Sequence, residues 1–343
     1  MRTALTKYTC IASAAVPLIC MFGQAVAQQE VVIDQDAPLF DRWMYPFNAT
    51  PGERVAGPTF TAFGSGYDDF DDRDGQVLLG FETQLDVPSG LGAGSYQVVS
   101  GRLTVMFVGN GVIYDPTLDS WETWLEDGPA DEDPGRPSIV SAAGFRNGFD
   151  GWSYGETGPF GAFQRFGRNA FPIEIAEDGS VVDISNNITD AFDPKPLGVA
   201  STTEVAVGDA IPDLTPMVFE FDVLDPDMQC YLRTALDAGL LSLVLTSHHG
   251  GSQDGSGSYP GWILKENSLV FAGFADAPGL ELEVIVAEPS GVPGDIDGDG
   301  SVNVTDLLQV LNEWGCTCCI TDINGDGRTD VTDLLAVISN WGG

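Results

Sequence analysis

The feature that most constrains this chain is a duplicated stretch near its C-terminus. Residues Asp295 to Asp306 recur as Asp322 to Asp333, and the apolar positions that follow each stretch recur with the same offset. Each copy has Gly at its sixth position, where the chain must turn sharply to direct successive side chains at one point. The duplication therefore predicts two copies of one small loop–helix unit.

Each twelve-residue loop carries oxygen ligands at the spacing that calcium uses. Positions 1, 3, 5, 9 and 12 offer side-chain oxygens and position 7 offers its backbone carbonyl, which suits an ion that takes six to eight oxygens. We predict two calcium ions, one per loop, with these ligands: Asp295, Asp297, Asp299, Ser301, Asn303 and Asp306, then Asp322, Asn324, Asp326, Arg328, Asp330 and Asp333. Since the carboxylates of a loop repel one another without metal, folding of the unit should depend on calcium. The alternative is a pair of acidic turns that bind no ion.

An amphipathic pattern follows each loop, but none precedes it. The stretch from Glu288 to Gly294 is a Pro/Gly-rich linker, whereas Val304 to Trp314 and Val331 to Trp341 place apolar residues at helical spacing. Two loop–helix units without entering helices, over residues 293–343, closely resemble the type I dockerin module.

The resemblance implies a fold and a partner. In that family the two units pack antiparallel, bind two calcium ions and dock onto a cohesin domain of another protein. Recognition there centres on loop positions 10 and 11, here Val304-Thr305 and Val331-Thr332. The near-identity of the two copies implies that docking can occur in either of two orientations.

The first 27 residues have the pattern of a secretory signal peptide. Arg2 and Lys7 precede an apolar stretch from about Cys10 to Phe22, and Ala25-Val26-Ala27 is a small-residue cleavage site. We therefore expect a secreted protein, extracellular or at the cell surface. No later segment is long and apolar enough to span a membrane, so no membrane insertion is expected in the mature form.

The chain is strongly acidic. Its formal net charge is −37, from 51 Asp and Glu against 14 Lys and Arg. Phosphate backbones and anionic lipids repel such a chain, which excludes nucleic acid as a partner and makes metal cations the natural counter-charges.

Residues 28–287 show short alternating runs separated by turns, which predicts a β-sandwich domain. One helix stands out, with Asp225 as its cap, Pro226 in its first position and Gly239 after its end. The expected strands lie at 77–82, 102–108, 218–223, 241–246 and 280–284. The predicted fold is mainly β, a jelly-roll-like sandwich, joined by a linker at 288–294 to a small all-α calcium-binding module at 295–343.

The sandwich region also resembles secreted jelly-roll modules of the DNRLRE type, over residues 30–287. The resemblance rests on a strand, a Pro/Gly turn and a second strand, at Leu78–Glu82, Val87–Gly90 and Ser100–Val105. Some members of that group bind polysaccharide, so the resemblance implies a carbohydrate ligand.

No catalytic residue is predicted. Gly151–Gly155 matches the spacing of a hydrolase nucleophile elbow, but the residues after it cannot begin the helix that such an elbow requires, so a surface loop is expected. His248 and His249 are adjacent at a strand end, where they would point to opposite faces, so a loop or capping role is favoured over a metal site.

Three further groups of residues leave alternatives open. The acidic segment Tyr67–Gly75 is either a solvated loop or a further calcium site in the sandwich. Cys316, Cys318 and Cys319 allow a bridge between the outer two, no bridge, or structural zinc. Aromatic residues in or beside predicted loops could stack on sugars or pack the core: Trp43, Tyr45, Trp121, Trp124, Trp152, Tyr154, Tyr259 and Trp262.

These observations favour a secreted, non-catalytic protein. Its tail would attach it to a cohesin-type partner through calcium-dependent docking, and its sandwich would bind extracellular polysaccharide. One alternative is a polysaccharide-degrading enzyme, a glycoside hydrolase or lyase, that carries the same tail. The other is a structural cell-surface protein.

Overall fold

The structure of the chain is a computed structural model that describes residues 28–342, except 47, 49, 62–73, 126, 162–167, 177–179, 252–256, 288–291, 317 and 325–327. The signal segment 1–27, most of the acidic segment 67–75 and the ligand candidate Asp326 lie outside the described residues. Within the described part, no helix is long and apolar enough to cross a membrane.

Strands are the main regular elements of the N-terminal region, and all of their pairings are antiparallel. In chain order they are β1 (Gln28–Gln35), β2 (Phe40–Met44), β3 (Ala56–Pro58), β4 (Gln76–Phe81), β5 (Tyr96–Val108), β6 (Ser138–Phe145), β7 (Ala170–Ile175), β8 (Val181–Asp183), β9 (Gly198–Ser201), β10 (Pro216–Glu220), β11 (Leu241–Ser247), β12 (Gly261–Ile263) and β13 (Gly279–Ala287). The expected series of short strands is confirmed, and the fold is mainly β.

The main path of the sheet runs β1-β13-β5-β10-β9-β6-β11-β4-β2 and curls on itself. Strand β9 pairs with β10 on one side and with β6 on the other, so it joins the two halves. Residues of both halves share one buried core, to which β5, β10 and β13 contribute from the first half and β4, β6 and β11 from the second. The result is a sandwich-like arrangement, as the sequence predicted.

The two halves differ in how their outer faces are covered. In β13, Leu280, Leu282 and Val284 are buried, while Glu281 and Glu283 face outward, as the strict alternation predicted. In β4, by contrast, every residue is buried. A second apolar cluster, which includes Leu78 and Tyr154, lies on the far side of that half. The second half is therefore buried on both faces.

Six α-helices lie among the described residues. They are α1 (Gly151–Tyr154), α2 (Asn187–Asp190), α3 (Pro226–Ala238), α4 (Ser268–Phe271), α5 (Val304–Asn312) and α6 (Val331–Ser339). The predicted α3 is confirmed in detail. Asp225 accepts hydrogen bonds from the backbone N–H groups of Asp227 and Met228, and Gly239 ends the helix at φ +78°.

The C-terminal region has its own small core between α5 and α6, formed by Val302, Val310 and Val337. It contacts the sandwich through the segment between the two repeats. An added Cβ on Gly94 would lie 2.4 Å from the Cα of Ile320, so the two backbones touch there. The side chain of Arg233 in α3 donates to the carbonyl of Cys318 at 3.4 Å.

The four cysteines of the described residues form two disulfides. Cys316 pairs with Cys319 inside the repeat region, which is one of the alternatives that the sequence left open. Cys318 pairs with Cys230 of α3, 88 residues away. The zinc alternative is therefore wrong, because every candidate thiol is used in a bridge. The second bridge links the C-terminal module covalently to the sandwich.

Candidate calcium centre, docking face and cleft

The first loop brings its leading carboxylates together. One oxygen from each of Asp295, Asp297 and Asp299 lies within 4.8 Å of the others, a spread that fits around one calcium ion with oxygens at about 2.4 Å. Burial raises the pKa of Asp297, and the neighbouring carboxylates add to that effect. The residues thus form a group of hard oxygen donors whose mutual repulsion a cation would relieve.

The last residue of each loop closes it through backbone hydrogen bonds. The two carboxylate oxygens of Asp306 accept from the N–H groups of Ile296 (2.7 Å), Asp297 (3.2 Å) and Asn303 (2.8 Å). The equivalent Asp333 repeats this pattern with Ile323, Asn324 and Asp330 at 2.8, 3.2 and 2.8 Å. Both carboxylates are fully buried. The described parts of the two loops therefore share the same closing hydrogen bonds.

The remaining ligand candidates lie around the same loops in different environments. Asn303 and Asp330, at position 9, cap α5 and α6 through their side chains. The hydrogen bonds from Thr332 lower the pKa of Asp330. Asp322 is half-buried, while Ser301, Asn324 and Arg328 are exposed, and Arg328 could offer its carbonyl as position 7 requires.

The two helices expose matching apolar side chains. Residues in equivalent positions of α5 and α6, and just after them, are between 48 % and 58 % exposed: Val304, Leu308, Leu311 and Trp314, with Val331, Leu335, Ile338 and Trp341. Thr305 and Thr332 are also exposed. We call these ten residues the docking face. Its two halves are related by the sequence repeat.

Residues 293–340 match the family described as Dockerin type I domain. This segment is a type I dockerin domain. No curated protein matches the chain. The dockerin binds calcium, and it is a module that attaches its protein to a cohesin domain.

Outside the dockerin, the sandwich contains a cleft of about 800 Å³ beside β2. That volume lies in the usual range for sites that bind small ligands. Trp43 and Tyr45 line the cleft and stack on each other, with ring centroids 4.9 Å apart and planes 13° from parallel. The guanidinium of Arg54 lies 5.1 Å from the centre of the Trp43 ring. Asn48 and Glu53 add polar groups to the cleft wall.

Three acidic side chains from distant parts of the sequence meet at the same cleft. One oxygen each from Asp41, Glu156 and Glu266 lies within 4.8 Å of the others, and we call these residues the cleft carboxylates. Asp41 is fully buried, whereas Glu156 and Glu266 line the cleft. Burial is the largest cause that raises the pKa of Asp41, to about 8, against an opposing hydrogen bond from the backbone of Lys265. The sequence analysis missed this group.

Lys265 is the cation of this group. Its backbone N–H donates to Asp41 Oδ2 at 2.7 Å, and its side chain pairs with Glu156. The same Nζ lies 3.7 Å from Glu266 Oε1. Arg42, the neighbour of Asp41, instead donates to the carbonyls of Gly155 and Gly158, on either side of Glu156.

A second acidic group lies elsewhere in the sandwich. One oxygen each from Asp115, Asp119 and Asp133 lies within 4.8 Å of the others. Arg136 already forms ion pairs with Asp119 at 2.9 Å and with Asp131 at 3.2 Å. A protein cation therefore supplies part of the charge that a metal would bring.

The residues that resembled a hydrolase elbow have a structural role. Ser153 lies in α1, where its backbone N–H donates to Asp150 Oδ1 at 2.7 Å and its Oγ accepts from the backbone N–H of Asp150 at 2.9 Å. This is a capping box at the start of α1. The stretch is therefore a short helix rather than the expected loop, and the hydroxyl of Ser153 serves the cap.

The adjacent histidines follow β11 and are buried, with 4 % and 7 % exposure. Burial lowers the pKa of His248 to about 4 and that of His249 to about 3, and the nearby Arg136 acts in the same direction on both. His249 Nδ1 lies 3.2 Å from Ser247 Oγ. Both rings are therefore neutral near pH 7.

The aromatic residues that the sequence placed in or beside loops divide between core and surface. Trp262 lies in β12 and is 1 % exposed, with its Nε1–H donating to Thr59 Oγ1 at 3.0 Å. Tyr154 is equally buried. For these two the alternative of core packing is the one that the structure shows. Trp152 is 45 % exposed, but it does not line the cleft.

Proposed function

We propose that this protein is exported and attached to a cohesin-bearing partner by its dockerin, which presents the β-sandwich as cargo. The observation that carries the proposal is the repeated docking face on α5 and α6, next to two loops that Asp306 and Asp333 close with matching hydrogen bonds. Each loop would hold one calcium ion through the ligands predicted above. Proteins that carry dockerins are typically extracellular, and the N-terminal pattern of residues 1–27 supports export by cleavage of a signal peptide.

Docking would centre on Val304-Thr305 in one repeat or on Val331-Thr332 in the other. Val304 and Val331 are exposed to 55 % and 52 %, so the two halves of the face present similar surfaces. If each half can occupy the partner's site, the loss of one half removes one of two equivalent modes. That loss weakens binding only about twofold, whereas loss of both halves abolishes it.

The test is calcium-dependent binding of the full chain to a panel of cohesin domains by calorimetry. We expect Val304→Asp and Val331→Asp each to bind within a few-fold of the unaltered chain, and the double variant not to bind. Leu224→Asp is the matched control, because Leu224 is 90 % exposed on the sandwich. Full binding by the double variant would refute the assignment of the docking face.

We further propose that the sandwich binds polysaccharide in the cleft beside β2. The support is Tyr45, a partly buried ring stacked on the buried Trp43, together with polar groups in one cleft of suitable size. Aromatic faces pack against the apolar faces of sugar rings, while carboxylate and amide groups bind the hydroxyls.

Co-sedimentation of the full chain with insoluble polysaccharides, in calcium-containing buffer, tests this proposal. We expect one polymer to deplete the protein, and Tyr45→Ala to weaken binding about tenfold, for a contact worth roughly 1.4 kcal/mol. Trp152→Ala is the control, an exposed aromatic that does not line the cleft. Depletion that is equal for both variants would exclude the cleft. Soluble sugars released during the same incubations would instead identify the chain as a polysaccharide-degrading enzyme.

A further inference from the structure

We propose that the cleft carboxylates form a further divalent-cation site, for calcium, in the sandwich. Asp41 comes from β2, Glu156 from the loop after α1 and Glu266 from the loop after β12. Oxygens within 4.8 Å of one another can all reach one ion, because two calcium ligands at about 2.4 Å can lie up to about 4.8 Å apart.

The hydrogen bonding of the group leaves one oxygen of each carboxylate without a donor. Lys265 lies beside the other oxygens, with its backbone N–H on Asp41 Oδ2 and its ammonium group near both Glu156 Oε1 and Glu266 Oε1. The second oxygens, Asp41 Oδ1, Glu156 Oε2 and Glu266 Oε2, are buried, and no hydrogen-bond donor among the described residues reaches them. Such atoms carry an uncompensated desolvation cost unless a partner is bound. A cation between them is that partner.

The charge of the group fits a divalent ion. When all three carboxylates are ionised they face one ammonium group, and a divalent cation balances the two negative charges that remain, in place of the proton that burial favours on Asp41. The other nearby cation is already engaged, since the Arg42 guanidinium donates to two backbone carbonyls and lies 4.4 Å from the centre of the Tyr154 ring. A proton shared between Asp41 and Glu266 would satisfy only two of the three oxygens.

The surroundings hold the three side chains in place. The hydrogen bonds from Arg42 to Gly155 and Gly158 fix the loop on both sides of Glu156. On the opposite side, a Cβ on Gly52 would lie 2.2 Å from Glu156 Oε2. Because glycine has no side chain, residue 52 leaves room for this oxygen. The ligand group is therefore held in place before an ion arrives, and two of its residues, Glu156 and Glu266, also line the cleft.

The experiment counts calcium ions bound per full chain, by native mass spectrometry after free metal is removed. We expect Asp41→Asn and Glu266→Gln each to bind one calcium fewer than the unaltered chain. Glu53→Gln is the matched control, because it removes the same charge from the same cleft at an exposed position. Asp295→Ala with Asp322→Ala should lower the count through the dockerin instead and leave the sandwich ion in place.

A second measurement uses terbium, a calcium substitute whose emission is sensitised by nearby tryptophan. In the Asp295→Ala, Asp322→Ala background, we expect emission that Asp41→Asn or Glu266→Gln removes and Glu53→Gln retains. If Asp41→Asn fails to fold, Glu266→Gln carries the test, because that side chain is 30 % exposed. Unchanged calcium counts and unchanged emission in Glu266→Gln would overturn the proposal. These readouts need no polysaccharide, so they stand apart from the carbohydrate-binding test.

Discussion

The bridge between Cys230 and Cys318 gives the sharpest test of how the two parts of the chain are joined. It encloses 88 residues, whereas the bridge between Cys316 and Cys319 encloses 3. A disulfide stabilises a fold mainly by restricting the unfolded chain, and its contribution grows with the logarithm of the loop length. At 25 °C this relation gives about 4.6 kcal/mol for the long bridge and about 1.6 kcal/mol for the short one.

The assay is urea unfolding of two double variants, Cys230→Ser with Cys318→Ser and Cys316→Ser with Cys319→Ser, both in excess calcium. With an m-value of about 3 kcal/mol/M, the midpoint should fall by about 1.5 M urea for the first pair and about 0.5 M for the second. The variant that lacks the short bridge is the matched control, because it also replaces two cysteines by serines and also removes one disulfide of the C-terminal module.

Equal midpoint shifts for the two variants would refute the reasoning, since loop length would then have no effect on the unfolded chain. Peptide mapping of the unaltered protein provides an independent check. A map that lacks the peptide pair containing Cys230 and Cys318 would refute the bridge itself.

Three other predictions concern the junction, the buried histidines and the loops. Gly94→Val should push the dockerin away from the sandwich at Ile320 and speed proteolysis of the linker, while the melting of the sandwich stays unchanged. Burial lowers the pKa of His248 to about 4 and that of His249 to about 3 in the folded state, so their contribution to the free energy of unfolding is complete above about pH 6.5 and is lost as the pH falls toward those values. Urea unfolding at pH 5 should therefore give a free energy of unfolding about 2 kcal/mol lower per histidine than at pH 7. The double variant His248→Gln, His249→Gln should not show this pH-dependent loss. Chelation of calcium should lower the far-ultraviolet helical signal of the dockerin, and Asp306→Ala should produce about half of that loss, because it opens one of two equivalent loops.

The dockerin could be predicted from sequence because its geometry is local. The hydrogen bonds that close the first loop join Asp306 to residues at most ten positions away, and the second loop repeats them. The ligand spacing, the helix cap and the helix therefore all lie within one short segment, where a sequence pattern can predict them. The repeat supplies a second copy of the same pattern, which chance does not produce.

The sandwich was harder to read, since alternation appears only where a strand has one solvated face. Strand β13 alternates and was predicted, but β6 is buried along almost its whole length and has no such pattern. Likewise Trp262 looked like a loop residue because β12 is only three residues long. The tertiary fold buries both faces of such strands, so their sequences lack the alternation of apolar and polar residues that predicts a strand.

The cleft carboxylates were missed for a related reason. Asp41, Glu156 and Glu266 are more than a hundred residues apart in sequence, and no spacing rule connects them. One local sign was present: Asp41 and Arg42 lie between apolar residues in Phe40–Met44, where charged side chains need buried partners. A sequence reading could have identified β2 as a strand with a buried polar function, but not its partners.

The position of the junction is compatible with both of the docking modes proposed above. The sandwich contacts the segment between the two repeats, through Cys318 and Ile320, while Val304 and Val331 remain about half exposed. Attachment at this midpoint therefore favours neither half of the docking face. Because the long bridge fixes the module to the sandwich, a change between the two proposed docking modes would reorient the whole chain on its partner. The cleft beside β2 would then face one of two directions, which makes the choice of mode a choice of how the cargo is presented.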